Sequence, residues 1–93
     1  VNLNRANLTR ADLSRVDLRM AHMDETNLTG ANLTGGILTG TNLTRANLTR
    51  ANLTGANLTG ANLTGAHFSS TILVNVSFCG TNMPDGRENN SGC

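Results

Sequence analysis

Residues 46–65 read ANLTR ANLTG ANLTG ANLTG, four near-identical pentapeptides in direct succession. Cutting outward in fives keeps the same frame in both directions, from VNLNR at residues 1–5 to VSFCG at 76–80, without an insertion. All thirteen Leu fall at the third place, where Met23, Phe68 and Phe78 stand in the remaining repeats. All nine Ala fall at the first place, which Val, Thr or Gly fills elsewhere. Asn or Asp holds the second place in eleven of the sixteen repeats, and Gly recurs at the fifth. An internal repeat this regular fixes the architecture before any residue-level reading.

A period of five excludes the two simplest elements. On an α-helix each repeat would advance its Leu by about 140°, so the Leu would spiral around the axis. Asn, Thr and Gly also disfavour helix and favour turns. On a flat strand, side chains alternate with period two, so successive Leu would point to opposite faces. The first and third places can face one way within a short extended segment, provided a turn restores direction before the next repeat. Gly at the fifth place accepts the dihedrals that such a corner needs. The chain is expected to coil around a narrow core of Ala and Leu as an all-β solenoid.

Over residues 1–80 the pattern resembles the A(D/N)LXX consensus of the pentapeptide-repeat proteins. The resemblance implies a right-handed quadrilateral β-helix, with four repeats per coil, about four coils, and the first and third places pointing inward. At about 4.8 Å per stacked layer the rod would be roughly 19 Å long. Stacking the repeats by twenty places Leu8, Leu28, Leu48 and Phe68 in one inward column and Leu13, Leu33, Leu53 and Leu73 in another. Leu58 and Phe78 share a third column with Leu18 and Leu38. Leu8, Leu13, Leu28, Leu33, Leu48, Leu53, Leu58, Phe68 and Phe78 are the expected core, the two Phe closing the last coil as plugs. Columns of Asn such as Asn7, Asn27 and Asn47 are expected to stack and stabilise the walls. TNM at 81–83 continues the first column, so the solenoid is assigned to 1–83. Pro84-Asp85-Gly86 then forms a turn, and residues 84–93 form a turn and polar tail. Similar M-P-D-G tails follow the repeats in cyanobacterial members of the family.

Net charge is +1, with seven Arg, no Lys and six acids, which excludes general basicity as a route to nucleic acid. Trp and Tyr are absent and Phe occurs twice, so there is no platform for stacking bases. No apolar run approaches a membrane span, and no direct membrane insertion is expected. Charge gathers at the start: Arg5, Arg10, Arg15 and Arg19, with Asp12 and Asp17, surround the first coil. These Arg, and Ile37 where the pattern calls for an outward polar residue, are the candidate partner surface. Arg5, Glu25 and Arg45 share a corner column and read as an ion-pair ladder. Ile72 repeats the exposed-apolar anomaly near the end.

Chemistry finds little to work with. His22, Asp24 and Glu25 cluster in sequence but sit at outward places on a convex rod, where catalysis and metal binding both need convergent groups. His67 lies two coils away on another face. No catalytic residue, metal ligand or cofactor site is assigned, and no enzymatic activity is expected. Cys79 and Cys93 are fourteen residues apart, close enough for the tail to turn back into a disulfide, and a pair of free thiols is the alternative. The many N-x-S/T triplets are by-products of the repeat and favour a bacterial, cytosolic or organellar setting. The expected compartment is cytoplasmic, or periplasm or thylakoid lumen if the chain is processed or tethered.

The expected role is a structural or protein-interaction module, part of a larger membrane-associated or multidomain protein. A family resemblance also brings in DNA mimicry that inhibits DNA gyrase, which the short, near-neutral rod opposes. A third class is lattice or ice binding by Thr ladders such as Thr9, Thr29 and Thr49. The first coil, with its Leu layer and open backbone edge, calls for a protein partner or preceding domain to cover it. Left free, it invites weak self-association N-terminus to N-terminus, strengthened by salt.

Overall fold

Each pentapeptide brings five backbone N–H groups that must find acceptors, and the computed structural model, which describes residues 1–93, shows where each goes. The first-place N–H closes a turn onto the third-place carbonyl three residues back, as from Ala51 to Leu48 at 2.9 Å. The second-place N–H reaches one layer back, Asn52 to the Ala31 carbonyl at 2.9 Å. The third- and fifth-place N–H groups reach one layer forward, Leu53 to Ile72 and Gly55 to Val74, both at 2.9 Å. The fourth-place N–H turns to its own repeat: Thr54 donates to Asn52 Oδ1 at 3.0 Å, and the Thr54 hydroxyl donates to the same oxygen at 2.6 Å.

That last pair explains the second place. Asn and Asp oxygens capture a backbone N–H two residues on, which locks a local turn. The same geometry recurs at Asn7, Asp12, Asn27, Asn32, Asn42, Asn47, Asn57 and Asn62. The amide oxygens thus serve their own corners, while Asn7, Asn27 and Asn47 stack layer on layer as expected, joined through their backbones.

Parallel bridges join residues twenty apart in four ladders. One runs Asn2–His22–Asn42–Asn62–Asn82; the others run Asn7–Asn27–Asn47–His67, Asp12–Asn32–Asn52–Ile72 and Asp17–Ile37–Asn57–Ser77. The chain therefore completes one circuit every four repeats and has four walls, called here the first to fourth faces in that order. The molecule measures 29 × 25 × 21 Å. Every fifth place through residue 80 turns the corner with positive φ, from 57° at Arg15 to 74° at Gly65. Glycine has no Cβ penalty there, but Arg5, Arg10, Arg15, Met20, Glu25, Arg45, Arg50, Ser70 and Asn75 hold the same conformation. Some long side chains then lie over a glycine of the next layer. Arg10 and Arg15 each place Cγ 3.4 Å from where a Cβ on Gly30 or Gly35 would stand, and the Met20 sulfur fills that place at Gly40.

Met23, Leu28, Leu33, Leu38, Leu43, Leu48, Leu53, Leu58 and Leu63 are fully buried in a core they share with the inward Ala. Leu8 and Leu13, in the first layer, are half-buried. Thr replaces Ala at four inward places without leaving an unmet hydroxyl. Thr26, Thr41, Thr71 and Thr81 donate to the third-place carbonyls of Leu3, Leu18, Leu48 and Leu58 in the preceding layer, at 3.0, 2.7, 2.6 and 2.6 Å. No buried side-chain N or O lacks a partner.

The end of the chain is a folded-back hairpin. Strand β1 (Thr81–Asn82) prolongs the first face, and β2 (Glu88–Asn89) pairs with it antiparallel. The chain then crosses the fourth face, where Phe78 N–H donates to the Ser91 carbonyl at 3.0 Å and Gly80 N–H to Asn90 Oδ1 at 2.9 Å. Cys79 and Cys93 are joined as a disulfide, with S–S 2.04 Å and Cα–Cα 4.8 Å. Phe78 is buried beneath this segment. Phe68, on the second face, remains half-exposed. Of the two expected plugs, Phe78 is buried under the tail and Phe68 packs against the core with part of its ring exposed.

Candidate interaction surfaces

The walls are polar but locally satisfied. Along the second face the hydroxyls of Thr9, Thr29 and Thr49 donate to Asn7, Asn27 and Asn47 at 2.6, 2.7 and 2.6 Å. Their donors point sideways into their own turns, leaving methyls and lone pairs outward. An ordered lattice gains no row of free hydroxyl donors from such a column.

The first layer is different in charge and in backbone. Arg19 folds onto Asp17, Nε to Oδ1 at 2.9 Å and Nη2 to Oδ2 at 2.7 Å. The Arg19 side chain's hydrogen bonds hold the Asp17 carboxyl below its ordinary range, and the same contact raises Arg19. Asp12 is lowered by the hydroxyl, then the N–H, of Ser14. Arg5, Arg10 and Arg15 make no ion pair, so three free guanidiniums ring the corners. The Arg5–Glu25–Arg45 ladder does not form: Arg45 reaches Asp24 at 3.2 Å instead.

The first layer also carries an open ladder. The N–H groups of Asn2, Asn7, Asp12 and Asp17 have no acceptor, and the carbonyls of those residues and of Asn4, Thr9, Ser14 and Arg19 have no donor. One layer in, the equivalent groups are all paired, as in Asn27 N–H to Ala6 and Leu8 N–H to the Asn27 carbonyl. The exposed edge is rich in acceptors and rimmed by cations.

His22 is exposed on the first face and His67 on the second. Asp24 is spoken for by Arg45, and its N–H takes Asn4 Oδ1 at 2.8 Å. No group of three or more His, Cys, Asp and Glu converges on a point where an ion would sit. The one surface depression lies on the hairpin, between Met83, Arg87 and Asn90. No helix is long and apolar enough to cross a membrane.

Ile37 is 39% exposed on the fourth face, and Met20, 72% exposed, lies at the adjoining corner. A second apolar pair, Ile72 at 45% and Val74 at 55%, projects from one repeat of the third face. Val74 escaped the sequence reading, although TILVN signals it: apolar residues at both outward places of one repeat.

The family of pentapeptide repeats (8 copies) matches residues 1–30, 26–65 and 61–85. The crystal structure of a pentapeptide-repeat protein from Nostoc PCC 7120 superposes with a TM-score of 0.80 at 37% identity, covering 82% of this chain and 63% of that one. Rfr23, a pentapeptide-repeat protein from the cyanobacterium Cyanothece 51142, gives 0.71 at 43% identity over 89% and 58%. The chain thus spans less than two thirds of the length of either relative. No curated protein matches it.

Proposed function

The chain belongs to the pentapeptide-repeat family, and from that premise we propose that it is a non-enzymatic interaction block, a right-handed β-helix of four coils that engages a protein through its first layer. The observation that carries this reading is the conjunction at that layer: an unpaired, carbonyl-rich ladder and the three unpaired guanidiniums of Arg5, Arg10 and Arg15. The partner is an extended segment, of a neighbouring domain or another polypeptide, with backbone donors and acidic side chains. The relatives being longer, and both from cyanobacteria, supports a cyanobacterial setting in which this block adjoins further protein. The positive rim opposes mimicry of B-DNA, whose surface is anionic.

A photo-crosslinking residue tests this directly, placed at Thr9 on the first-layer edge or at Thr54 in mid-wall, in the natural host. The Thr9 probe is expected to crosslink to one discrete segment, within the same protein or in another polypeptide, that the Thr54 probe does not reach, and Arg5→Gln/Arg10→Gln/Arg15→Gln is expected to weaken that crosslink several-fold. Equal capture from both positions, or none from Thr9, refutes the assignment.

A further inference from the structure

Residues 85–92 read DGRENNSG and carry no apolar side chain. Each repeat of the rod packs a large apolar third-place side chain into the core, and this segment has none to offer. Its polar side chains serve one another. Arg87 pairs with Asp85 at 3.7 Å, Asn90 Nδ2 donates to Glu88 at 3.1 Å, and Ser91 N–H donates to Asn89 Oδ1 at 2.8 Å. Its ties to the preceding chain are few. β2 pairs with β1 over two residues, and Met83 N–H donates to the Arg87 carbonyl at 2.7 Å. Phe78 N–H donates to the Ser91 carbonyl and Gly80 N–H to Asn90 Oδ1. Residues 81–84 are held differently: Asn82 and Pro84 accept from Leu63 and Gly65 at 2.7 and 2.9 Å, and Met83 packs against the core.

The remaining tie is covalent. Cys79 and Cys93 are bridged at a sequence separation of 14, and closing a loop of that length favours the docked segment on the order of a hundredfold over the unbridged chain. Ordering a segment without apolar burial costs backbone entropy that so few hydrogen bonds offset only in part. The bridge therefore decides whether residues 85–93 stay docked. It is also within reach of a reagent, since Cys93 is exposed and Cys79 half-buried. Beneath the docked segment lies Phe78, 8% exposed. The effect is internal to residues 79–93 and lies three layers from the Arg5, Arg10 and Arg15 surface.

We propose that the Cys79–Cys93 bridge is a thiol-exchange site for dithiol reductants, and that opening it undocks residues 85–93 and uncovers Phe78. A thiolate of the reductant attacks the exposed Cys93 sulfur, the S–S bond breaks, and Cys79 leaves as a thiolate that takes up a proton. The second thiolate of the reductant then resolves the mixed disulfide and releases Cys93. Two electrons and two protons pass to Cys79 and Cys93, and the reductant is left as a disulfide. Residues 81–84 keep their bonds to Leu63 and Gly65, so the rod itself is unchanged. The Phe78 and Gly80 N–H groups lose their acceptors and meet water.

Hydrogen exchange of the natural protein, read by mass spectrometry, tests this by comparing the bridged form with one reduced by dithiothreitol without denaturant and capped with iodoacetamide. Reduction is expected to speed exchange of the Phe78 and Gly80 amides on the order of a hundredfold. Residues 85–93 should exchange as unstructured chain, while the Leu48 and Leu53 amides stay protected. Cys79→Ser/Cys93→Ser, which needs no cap, is expected to match the reduced form. Unchanged exchange across 77–93 in the reduced protein overturns the proposal, as does a bridge that dithiothreitol opens only in denaturant. Faster exchange through all four coils overturns it too, because the bridge would then be a condition of folding. The attacked sulfur is read with glutathione, whose mixed disulfide is trapped by acid and mapped. The adduct is expected on Cys93, and an adduct on Cys79 refutes the order of attack.

Discussion

Replacing Gly55 by Ala isolates the cost of the corner conformation. Gly55 has φ of +69°, and a Cβ built on it meets no atom within 4 Å. Neither a clash nor a lost contact enters. The remaining terms are left-handed strain, about 1–2 kcal/mol for a residue with a Cβ, and the smaller unfolded-state entropy of Ala, which offsets about 0.4–1 kcal/mol of it. The net loss is about 1 kcal/mol, or roughly 4–8 °C in Tm for a chain of this size. Gly65 shares the conformation, at +74°, but there the new Cβ would lie 3.1 Å from Arg45 Cγ. Gly65→Ala therefore costs more than Gly55→Ala. Arg50, at φ 59°, is the inverse case: Arg50→Gly releases the strain and pays back glycine's entropy, leaving stability near unchanged or raised by up to ~1 kcal/mol. Urea unfolding of the three variants followed by circular dichroism, compared at constant m, gives the order. A Gly55→Ala chain more stable than the parent would refute the reasoning, because that is the behaviour of a glycine with ordinary negative φ.

Other perturbations read other parts of the same design. Leu48→Ala, fully buried between layers, is expected to cost about 2–5 kcal/mol, against under ~1 for the neighbouring Thr49→Ala; equal losses in urea would mean that the inward register is wrong. Thr41→Val keeps the shape but removes the hydroxyl bond to the Leu18 carbonyl, so it should cost about 1 kcal/mol, and Thr41→Ala more through the added void. Asp17, held low by Arg19, contributes stability that is present above its unfolded pKa and lost as pH falls through its lower folded value. Its carboxyl should therefore titrate below the usual range by NMR, move up in Arg19→Ala, and leave only a small loss of stability below about pH 4.

The inward columns were legible because sixteen repeats run without an insertion, so adding twenty finds the residue one layer on for Leu8, Leu28 and Leu48 alike. The purpose of Asn at the second place was not legible. Polarity alone places Asn52 outward, and only the path of the backbone shows the Thr54 N–H waiting within reach of Oδ1. The inward Thr are similar. A hydroxyl in an apolar column looks like a blemish until the Leu18 carbonyl one layer away is seen to accept from Thr41. Charge pairing failed for a geometric reason, since column arithmetic aligns Cα atoms and not the ends of long side chains: Arg45 reaches Asp24 and passes Glu25 by. For Cys79 and Cys93, sequence separation allowed both states, and the hairpin at Pro84–Gly86 is what returns Cys93 to its partner.

The four ladders also make the rod an indexing device. Because the backbone repeats its pairing every twenty residues, adding or deleting one pentapeptide between the ends turns everything before it by a quarter circuit relative to everything after. The accompanying change in length is only about 1.2 Å, a quarter of one layer spacing. Azimuth is thus set in four discrete clicks almost independently of distance. Ile37 and the Ile72–Val74 pair now sit on adjoining walls, and one repeat inserted between them would bring them onto one wall. Gene-level slippage in a run such as 46–65, where neighbouring repeats are nearly interchangeable, re-aims one contact surface against another without designing a single new side chain.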